Sequence, residues 1–451
     1  MLDSNWNKYS NKVRFTFNSG VVYEGVGTDE VLQVDIQRDL ADNNTDPLGV
    51  VRSGTISIKL MDKDKKFVKN NKTSPYFGLL SEGFKIEWYI SIDGGVFTKH
   101  GEYYATDIKN SSGNGGYNKV TINGADILQY IGNQPVNIVG IKRNQTVKDY
   151  LASIFNSVGL IASQYNIADT LTKTIKYTYT FGTKLKDVLN SVAKSYMCNI
   201  FVDGNGIIQV VDLLDLANKA TKRMDFDGVV NTFEVALGTD LLDTYNAVRL
   251  KYTNPTVVKG DTLLEISDFE IPAGTNELSE FTFSNNKKAD KIEYVTIVPV
   301  ESDVTISINN IRWTQDSIIL NVTNPKETAI KAKLVVKGDC LIENTAVMER
   351  YISGIPVERR KYIEIDAKLI QSDRYAEEYC TIILHYLSAD VSYLTLRTKG
   401  HPLLELADIV GVKSGLVDFD GTCILSSIKL SLGVSSTCNI SVLNSAALRI
   451  E

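Results

Sequence analysis

The sequence predicts a multidomain protein that is mainly β, with a small α/β unit and an inserted β-sandwich. Short segments of alternating apolar and polar residues, separated by turn residues, fill most of the chain. Two amphipathic helical patterns follow each other closely between residues 136 and 215. A length of 451 residues is enough for several separate hydrophobic cores.

Residues 1–135 are expected to form an amino-terminal β-domain. The segments VRFTF and VVYEGV flank a turn at Asn18-Ser19-Gly20, as in a hairpin. The clearest strand is FKIEWYISI, which a turn at Asp93-Gly94-Gly95 ends. Its apolar face carries Phe84, Ile86, Trp88, Ile90 and Ile92.

Residues 136–215 are expected to form a small α/β domain. Thr146-x-x-Asp149 has the form of a capping box and precedes a helical pattern that Gly159 ends. A polar strand and a second helix follow, and the latter carries Leu185, Val188, Leu189, Val192 and Ala193. The segments CNIFV and IIQVV around Asp203-Gly204-Asn205-Gly206 predict a hairpin.

The rest of the chain predicts a second β-domain, 216–255 and 341–451, interrupted by an inserted β-sandwich at 256–340. In the second β-domain, DRYAEEYCTIILHYLS reads as a helix capped by Ser372. In the insert, YVTIVPV, VTISI, IILNV and AKLVVKG read as successive strands. The expected turns between them are Asn309-Asn310, Asn324-Pro325 and Gly338-Asp339.

Composition limits the possible partners. The net charge is −6 and no Lys/Arg block occurs, so the chain lacks the basic surface that grips duplex nucleic acid. The amino terminus has no apolar signal region, and no run reaches roughly 18 apolar residues, so we expect neither classical export nor stable membrane insertion. Five widely spaced cysteines are expected to be buried thiols. They are Cys198, Cys340, Cys380, Cys423 and Cys438.

No constellation of catalytic, cofactor-binding or metal-ligating residues stands out, so the expected number of such site residues is none. His100, His385 and His401 are too far apart in sequence for a helical metal motif, and ordinary structural roles are expected for them. Gly-rich segments at 113–116 and 203–206 lie between strands, which favours hairpin loops over a phosphate cradle. Asp62-x-Asp64 and Asp418-x-Asp420-Gly421 lack the remaining spacing of a calcium loop and read as surface acid pairs.

Three stretches together resemble the bacteriophage tail hub family, which is called baseplate hub in contractile phages and tail-associated or tail-tip protein in long-tailed phages of Gram-positive bacteria. The first runs from RSGTISIKLMD through SPYFGLL and HGEYYATDIK to VTINGADILQYI. The second is the helix, strand, helix and hairpin unit at 145–212. The third runs from VMERY through the helix at 372–388 to GHPLLELADIVGV. In that last motif Ala407 stands where the family pattern leads us to expect glycine, which weakens the interpretation as a tight turn.

The resemblance implies a structural adaptor with two related β-domains per subunit, so that a homotrimer presents six similar positions to a six-fold tail tube. It further implies a place at the tail tip of the virion, assembly in the host cytoplasm, and closure of the channel until genome release. The implied partners are a distal tail or tail tube protein ring, a tape measure protein, and tip spike or fibre proteins, with DNA as passing cargo only. Neither an enzymatic activity nor a cofactor is implied.

Two other classes of function stay open at the level of sequence. A receptor-binding tail protein or surface adhesin is the first alternative, although an exposed adhesin would normally carry an export signal. A cell-wall hydrolase is the second, and lytic activity on purified cell walls would favour it. We expect no room for an added hydrolase or receptor-binding module before the chain ends at Glu451.

Overall fold

The computed structural model of the chain describes residues 9–449 except positions 28–29, 42–47, 93, 113–117, 220, 228–231, 239–244, 285–286, 301–302, 389–392, 399–403, 416 and 434–436. Within these residues the chain forms 26 strands and five α-helices. The fold class expected from the sequence, mainly β with a small α/β unit, is confirmed.

Seven strands build the amino-terminal β-unit. They are β1 (Tyr9–Thr16), β2 (Val22–Val26), β3 (Val31–Asp39), β4 (Thr55–Asp62), β5 (Lys85–Ile92), β6 (Thr98–Ser112) and β7 (Asn118–Ala125). The expected alternation on β5 is confirmed, because Ile86, Trp88 and Ile90 are all buried. Gly20 turns the chain between β1 and β2 with a φ of 83°, a backbone conformation that glycine adopts without steric cost.

Asp62 corrects the expectation of a surface acid pair. Its side chain is 2% exposed and accepts hydrogen bonds from the backbone N–H groups of Lys66 at 2.6 Å and Phe67 at 3.0 Å. The buried carboxylate therefore closes the turn that follows β4, and these two donors offset the cost of its burial. Asp418 and Asp420, by contrast, lie at the surface as expected.

The α/β unit follows directly. It consists of α1 (Ile127–Ile131), β8 (Lys142–Thr146), α2 (Val147–Ser157), β9 (Tyr165–Ile167), β10 (Thr174–Thr178), α3 (Leu185–Tyr196), β11 (Cys198–Val202), β12 (Ile208–Asp212) and α4 (Leu213–Ala217). The Thr146 hydroxyl caps α2 by accepting from the backbone N–H of Asp149 at 3.0 Å, which confirms the predicted helix start. Both predicted helices pack their apolar faces into one separate core.

After two strands of the second β-unit, β13 (Met224–Asp227) and β14 (Thr232–Gly238), the chain enters the insert. Its strands are β15 (Ala247–Ile271), β16 (Gly274–Glu277), β17 (Phe281–Thr282), β18 (Lys287–Pro299), β19 (Ser307–Trp313), β20 (Ser317–Asn324) and β21 (Ile330–Tyr351). One sheet contains β18, β21 and β15, and the other contains β16, β17, β19 and β20. Buried side chains of both sheets, among them Leu320 and Leu334, form a third core, so the predicted sandwich is present.

Two of the expected turns in the insert are wrong. Asn309 and Asn310 lie inside β19, and Gly338 and Asp339 lie inside β21. Both sites carry a register shift in the strand pairing, so polar or small residues there mark bulges and not turns. A Cβ atom at Gly338 would come within 1.9 Å of the carbonyl oxygen of Lys291, which explains the glycine as a close approach of two backbones.

Two long strands connect the insert to the second β-unit. β15 and β21 pair along their length, from Ala247 opposite Tyr351 to Ile271 opposite Ile330, with three register shifts. The boundaries expected at 255/256 and 340/341 therefore fall within a continuous ladder. Pro255 is tolerated there because the parallel neighbour of β15 pairs only as far as Tyr252, which leaves that edge open at the proline.

The remaining elements complete the second β-unit. They are β22 (Tyr362–Ala367), α5 (Asp373–Ser388), β23 (Tyr393–Thr398), β24 (Ile409–Ser414), β25 (Phe419–Leu432) and β26 (Thr437–Asn444). The hydroxyl of Ser372 accepts from the backbone N–H of Tyr375 at 3.3 Å, so the predicted cap of α5 is confirmed. Tyr379 and Ile383 on this helix are buried in the core that the two β-units share.

Candidate functional surface and the junction behind it

The side chains that could take part in catalysis or metal binding are dispersed over the described part of the chain. All five cysteines are buried, which confirms the prediction of buried thiols. Burial raises the pKa of Cys198 and Cys423 to about 12 and that of Cys380 to about 11, so these thiols stay protonated at neutral pH. Cys340 donates to the Asp261 carboxylate at 3.8 Å, and burial raises the pKa of this thiol as well.

The two histidines that the structure describes have structural roles. His100 on β6 is 6% exposed, and burial beside Arg38 lowers its pKa to about 4. His385 in the last turn of α5 lies 2.8 Å from the carbonyl oxygen of Arg449. His401, the Gly-x-Pro segment around it, the Gly-rich segment 113–116 and Asp93 lie outside the described residues.

The hairpin loop at 203–206 is confirmed as a tight turn. The Asp203 carboxylate accepts from the backbone N–H groups of Asn205 at 2.9 Å and Ile207 at 3.0 Å, which is an Asx-type arrangement. The part of the chain that the structure describes contains no group of three His, Cys, Asp or Glu side chains placed to hold a metal ion. Among the helices described, none is both long and apolar enough to cross a membrane.

The largest organised surface is a sheet that both β-units build together. Its strand order is β14-β23-β26-β25-β3-β4-β7-β6-β5-β1-β2, with β24 and β13 attached to β25. The seam between the units is the antiparallel pair β25 and β3, in register from Ser427 opposite Asp39 to Leu432 opposite Val34. Main-chain hydrogen bonds thus join segments that lie almost 400 positions apart in the sequence.

One face of this sheet is apolar and the other is polar. On β3, Val34, Ile36 and Arg38 point into the core, whereas Asp35 and Gln37 point outward. Since paired residues share a face, the register extends this outward face across eight strands, from β14 to β6. The outward row through Gln37 is Glu234, Arg397, Asn439, Lys429, Gln37 and Thr55, and it ends at Ala125 on β7, which is buried.

A network of side-chain hydrogen bonds covers the seam on the polar face. The Ser431 hydroxyl donates to Asp35 at 2.6 Å, and the Ser427 hydroxyl donates to Asp39 at 2.6 Å. The Gln33 amide donates to Asp35 at 2.7 Å, and Lys59 on β4 donates to the Gln33 amide oxygen at 2.9 Å. These contacts hold the outward side chains in fixed positions on either side of the seam.

The charges on this polar face nearly balance among the residues described. The acidic side chains are Asp35, Asp39, Asp107 and Glu234, and the basic ones are Lys59, Lys109, Lys119, Lys429 and Arg397. A nearly neutral face offers no strong attraction to a polyanion. In the sequence, this face is indicated by the polar residues at every second position of each strand.

Behind the seam, three parts of the chain meet at an ion pair. Arg38 occupies an inward position of β3, is 4% exposed, and donates to Glu405 with a distance of 2.6 Å between Nη1 and Oε2. Glu405 precedes β24 and also accepts from the backbone N–H of Gly204 in the α/β unit at 3.2 Å. A Cβ atom at Gly204 would lie 2.5 Å from the Glu405 carboxylate, so the close approach requires glycine.

The turn that presents Glu405 is strained at Ala407. Ala407 has a φ of 68°, the left-handed region in which an alanine is unfavourable, and the backbone N–H of Asp408 donates to the Glu405 carbonyl at 3.2 Å. The departure from glycine therefore does not remove the tight turn, which corrects the sequence-based interpretation. The Asp408 carboxylate accepts from the Glu405 N–H at 2.9 Å and so closes the same turn from its other end.

Further contacts fix the α/β unit between the β-units. The Asn199 side chain accepts from the N–H of Gly49 at 2.9 Å and donates to the carbonyl of Leu40 at 2.8 Å. On the other side, Tyr379 of α5 donates to the carbonyl of Lys194 at 2.8 Å. The junction is therefore held by directional hydrogen bonds and not by apolar packing alone.

The comparisons with known proteins support this architecture. No family model and no curated protein matches the chain. Among solved structures, the 43 kDa tail protein of prophage MuSo2 from Shewanella oneidensis is similar with a TM-score of 0.54 and 11% identity, over 98% of this chain and 100% of that one. The tail protein from Neisseria meningitidis MC58 is similar with a TM-score of 0.55 and 8% identity, over 97% and 98% of the two chains. This protein has the fold of phage tail proteins.

Proposed function

We propose that the chain is the structural hub at the distal end of a phage tail or phage-tail-like particle. In this role it adapts a six-fold tail tube to a three-fold tip and helps to close the channel until genome release. The observation that carries the proposal is the seam of β25 and β3, since it places two β-units side by side in one sheet within a single subunit. Three such subunits supply six β-units in a ring.

The two ends of the eight-strand polar face support ring formation. β14 pairs only with β23 among the described strands, and the second half of β6, after Ala105, pairs only with β7. These open edges lie at opposite ends of the eight-strand polar face. Open edges of long strands are the sites at which another strand adds, and joining one end to the opposite end of the next copy gives a head-to-tail interface that can close into a ring.

In the ring that we propose, the polar face of the sheet lines the channel. Its nearly balanced charge fits DNA as passing cargo, because a strongly basic wall would retain the polyanion. The implied neighbours are a distal tail or tail tube protein ring above, tip spike or fibre proteins below, and the tape measure protein inside. The division into units at 1–135, 136–215, 216–255 with 341–451, and 256–340 is part of the same proposal.

The homotrimer can be tested at the β14 edge. Leu237 is 41% exposed on the apolar side of β14, where a neighbouring strand would cover it. We expect Leu237→Asp to prevent assembly, whereas Ala236→Asp, on the polar side of the same strand, should leave assembly intact. Native mass spectrometry and cryo-electron microscopy of reconstituted tail tips provide the readout. A ring of six identical copies, a single copy per particle, or equal behaviour of the two variants would contradict the proposal.

A purely structural role also predicts that no hydrolytic activity belongs to this chain. The buried thiols and dispersed histidines support that view, since nucleophilic catalysis needs a nucleophile, a base and an orienting group in contact. Zymography of the purified protein on peptidoglycan is the test. A cleared band that vanishes on one Cys, His or carboxylate substitution would show that the chain is an enzyme.

A further inference from the structure

A cavity of about 280 Å³ lies between β10 of the α/β unit and the first turn of α5. Hydrogen bonds between the two units hold its walls in place. The Gln371 amide accepts from the backbone N–H of Tyr177 at 2.9 Å and donates to the carbonyl of the same residue at 2.7 Å. The Tyr375 hydroxyl donates to the carbonyl of Ser195 at 3.0 Å. The cavity is therefore a preformed space and not a gap between loosely packed segments.

Three cations and one carboxylate line this cavity, namely Lys173, Lys176, Arg374 and Glu378. Lys173 pairs with Glu378 at 2.7 Å. The side chains of Lys176 and Arg374 are exposed and form no hydrogen bond or ion pair with the described residues. In a chain with a net charge of −6, they make the cavity a local excess of positive charge. An anionic group is the ligand that would pair with these two cations.

The other acidic side chains in the first turns of α5 have partners elsewhere. Asp373 accepts from the Tyr252 hydroxyl on β15 at 2.6 Å, and Glu377 pairs with Arg350 on β21. These contacts hold both carboxylates on the side of α5 that faces the two long strands. The positive charge in the cavity is therefore available to a ligand.

A smaller cavity of about 70 Å³ adjoins the first, because Lys173, Tyr196 and Tyr375 line both. The two tyrosine rings stack with their centroids 5.7 Å apart. A cavity of roughly 150 Å³ accepts benzene, so the smaller space fits an aliphatic group of a few carbons. A hydroxyl or phosphate group would be desolvated there without enough hydrogen bonds in return. The other side chains that line it are mainly apolar and include Val147, Leu171, Met197, Leu214 and Ile382.

We propose that the two cavities bind an extended peptide segment of a partner protein, in which Asp or Glu stands next to an apolar residue. The carboxylate pairs with Lys176 and Arg374, and the apolar side chain enters the smaller cavity. Nucleic acid and anionic glycans meet only the requirement for charge, since they carry no aliphatic side chain for the second space. The lining residues lie outside the large sheet, so the site does not depend on the proposed ring.

Selection from a display library of random heptapeptides on the full-length protein tests the site. We expect the enriched sequences to carry Asp or Glu beside Val, Ile, Leu or Met. In a synthetic peptide of such a sequence, replacing the acid by its amide or the apolar residue by glycine should each weaken binding at least about tenfold. No enrichment, or enrichment of sequences without an acidic residue, would overturn the proposal.

Charge reversal on the protein locates the binding. Lys176→Glu combined with Arg374→Glu should weaken the selected peptide at least about tenfold and leave the urea midpoint unchanged, because both side chains are exposed and unpaired in the described chain. Lys184→Glu with Lys186→Glu is the matched control, since these exposed lysines lie at the opposite end of α3 from Tyr196. Equal loss of binding in the two double variants would overturn the proposal. So would displacement of the peptide by an equal concentration of inorganic phosphate, which would indicate a site for simple anions.

Discussion

Ser431 on β25 donates its hydroxyl to the Asp35 carboxylate on β3 at 2.6 Å, directly across the seam between the two β-units. The carboxylate is 37% exposed, so solvent screens part of the interaction. We expect Ser431→Ala to lower the free energy of unfolding by about 1 kcal/mol. Ser57 is the control, since it is the cross-strand neighbour of Asp35 on β4 and makes no side-chain hydrogen bond within the described chain. Equal effects of Ser431→Ala and Ser57→Ala in urea titrations would argue against a specific seam contact.

The strained turn before β24 offers a stabilising substitution. Ala407→Gly removes the left-handed penalty of about 1–2 kcal/mol but adds the entropy cost of glycine, so a net gain of about 0.5 kcal/mol is expected. Ala407→Val should lose more than about 1 kcal/mol, because a β-branched side chain fits that conformation poorly. Thermal unfolding of the three proteins checks the order Gly, Ala, Val. Any other order would mean that the contacts of the alanine methyl group dominate over backbone strain.

His100 should make stability depend on pH. Its pKa is about 4 in the folded protein and about 6.5 in an unfolded chain, so between these values the unfolded state binds more protons. Stability from this residue is therefore complete above pH 6.5 and is lost as the pH falls towards 4, by up to about 3 kcal/mol. Asp126, whose pKa burial raises to about 6, acts in the opposite direction over much of the same range. The test is the difference between the wild type and His100→Gln at pH 7 and pH 4.5, and a pH-independent difference would refute the assignment.

The insert should be removable. Pro255 pairs with Glu343 and Leu341 pairs with Val257, so the two cut points lie on neighbouring strands of one ladder. A chain in which a short Gly-Ser linker joins Pro255 to Leu341 closes this ladder as a hairpin, and we expect it to be soluble and to unfold cooperatively. The ion pair of Arg143 with Asp290 is lost, but it lies near the surface and contributes little. Aggregation of the shortened chain, together with failure of residues 256–340 to fold alone, would refute the insertion boundaries.

Local patterns in the sequence predict much of this fold. The α2 cap at Thr146, the helix after Ser372 and the hairpin at Asp203 each depend on residues a few positions apart, and the structure has all three. The mistakes concern bulges, because Asn309-Asn310 and Gly338-Asp339 have the composition of turns while lying inside paired strands. Whether such residues turn the chain depends on a partner strand that local sequence does not specify.

The sequence did not predict the contact of Arg38, Gly204 and Glu405, because it also depends on segments that are distant in the chain. Arg38, Gly204 and Glu405 lie more than 150 positions apart, and each has an ordinary local explanation as a strand, loop or turn residue. The one usable signal was Arg38 itself, since it stands at a position of β3 where the alternation after Val34 and Ile36 calls for an apolar side chain. A charged residue at an inward position requires a buried partner, although the pattern cannot identify it.

The paired strands β15 and β21 have a mechanical consequence. They contain 25 and 22 residues, so at about 3.3 Å per residue the two-stranded ribbon is long relative to a typical domain. Its hydrogen bonds run from the sandwich core to the ends of both strands that contact α5. Domains joined by flexible linkers reorient independently, whereas a ribbon of this kind behaves as a stiff rod whose bulges set its twist. A force applied to the sandwich would therefore be transmitted as torque to α5. Through the hydrogen bond from Tyr379 to the Lys194 carbonyl, it would also reach α3 of the α/β unit.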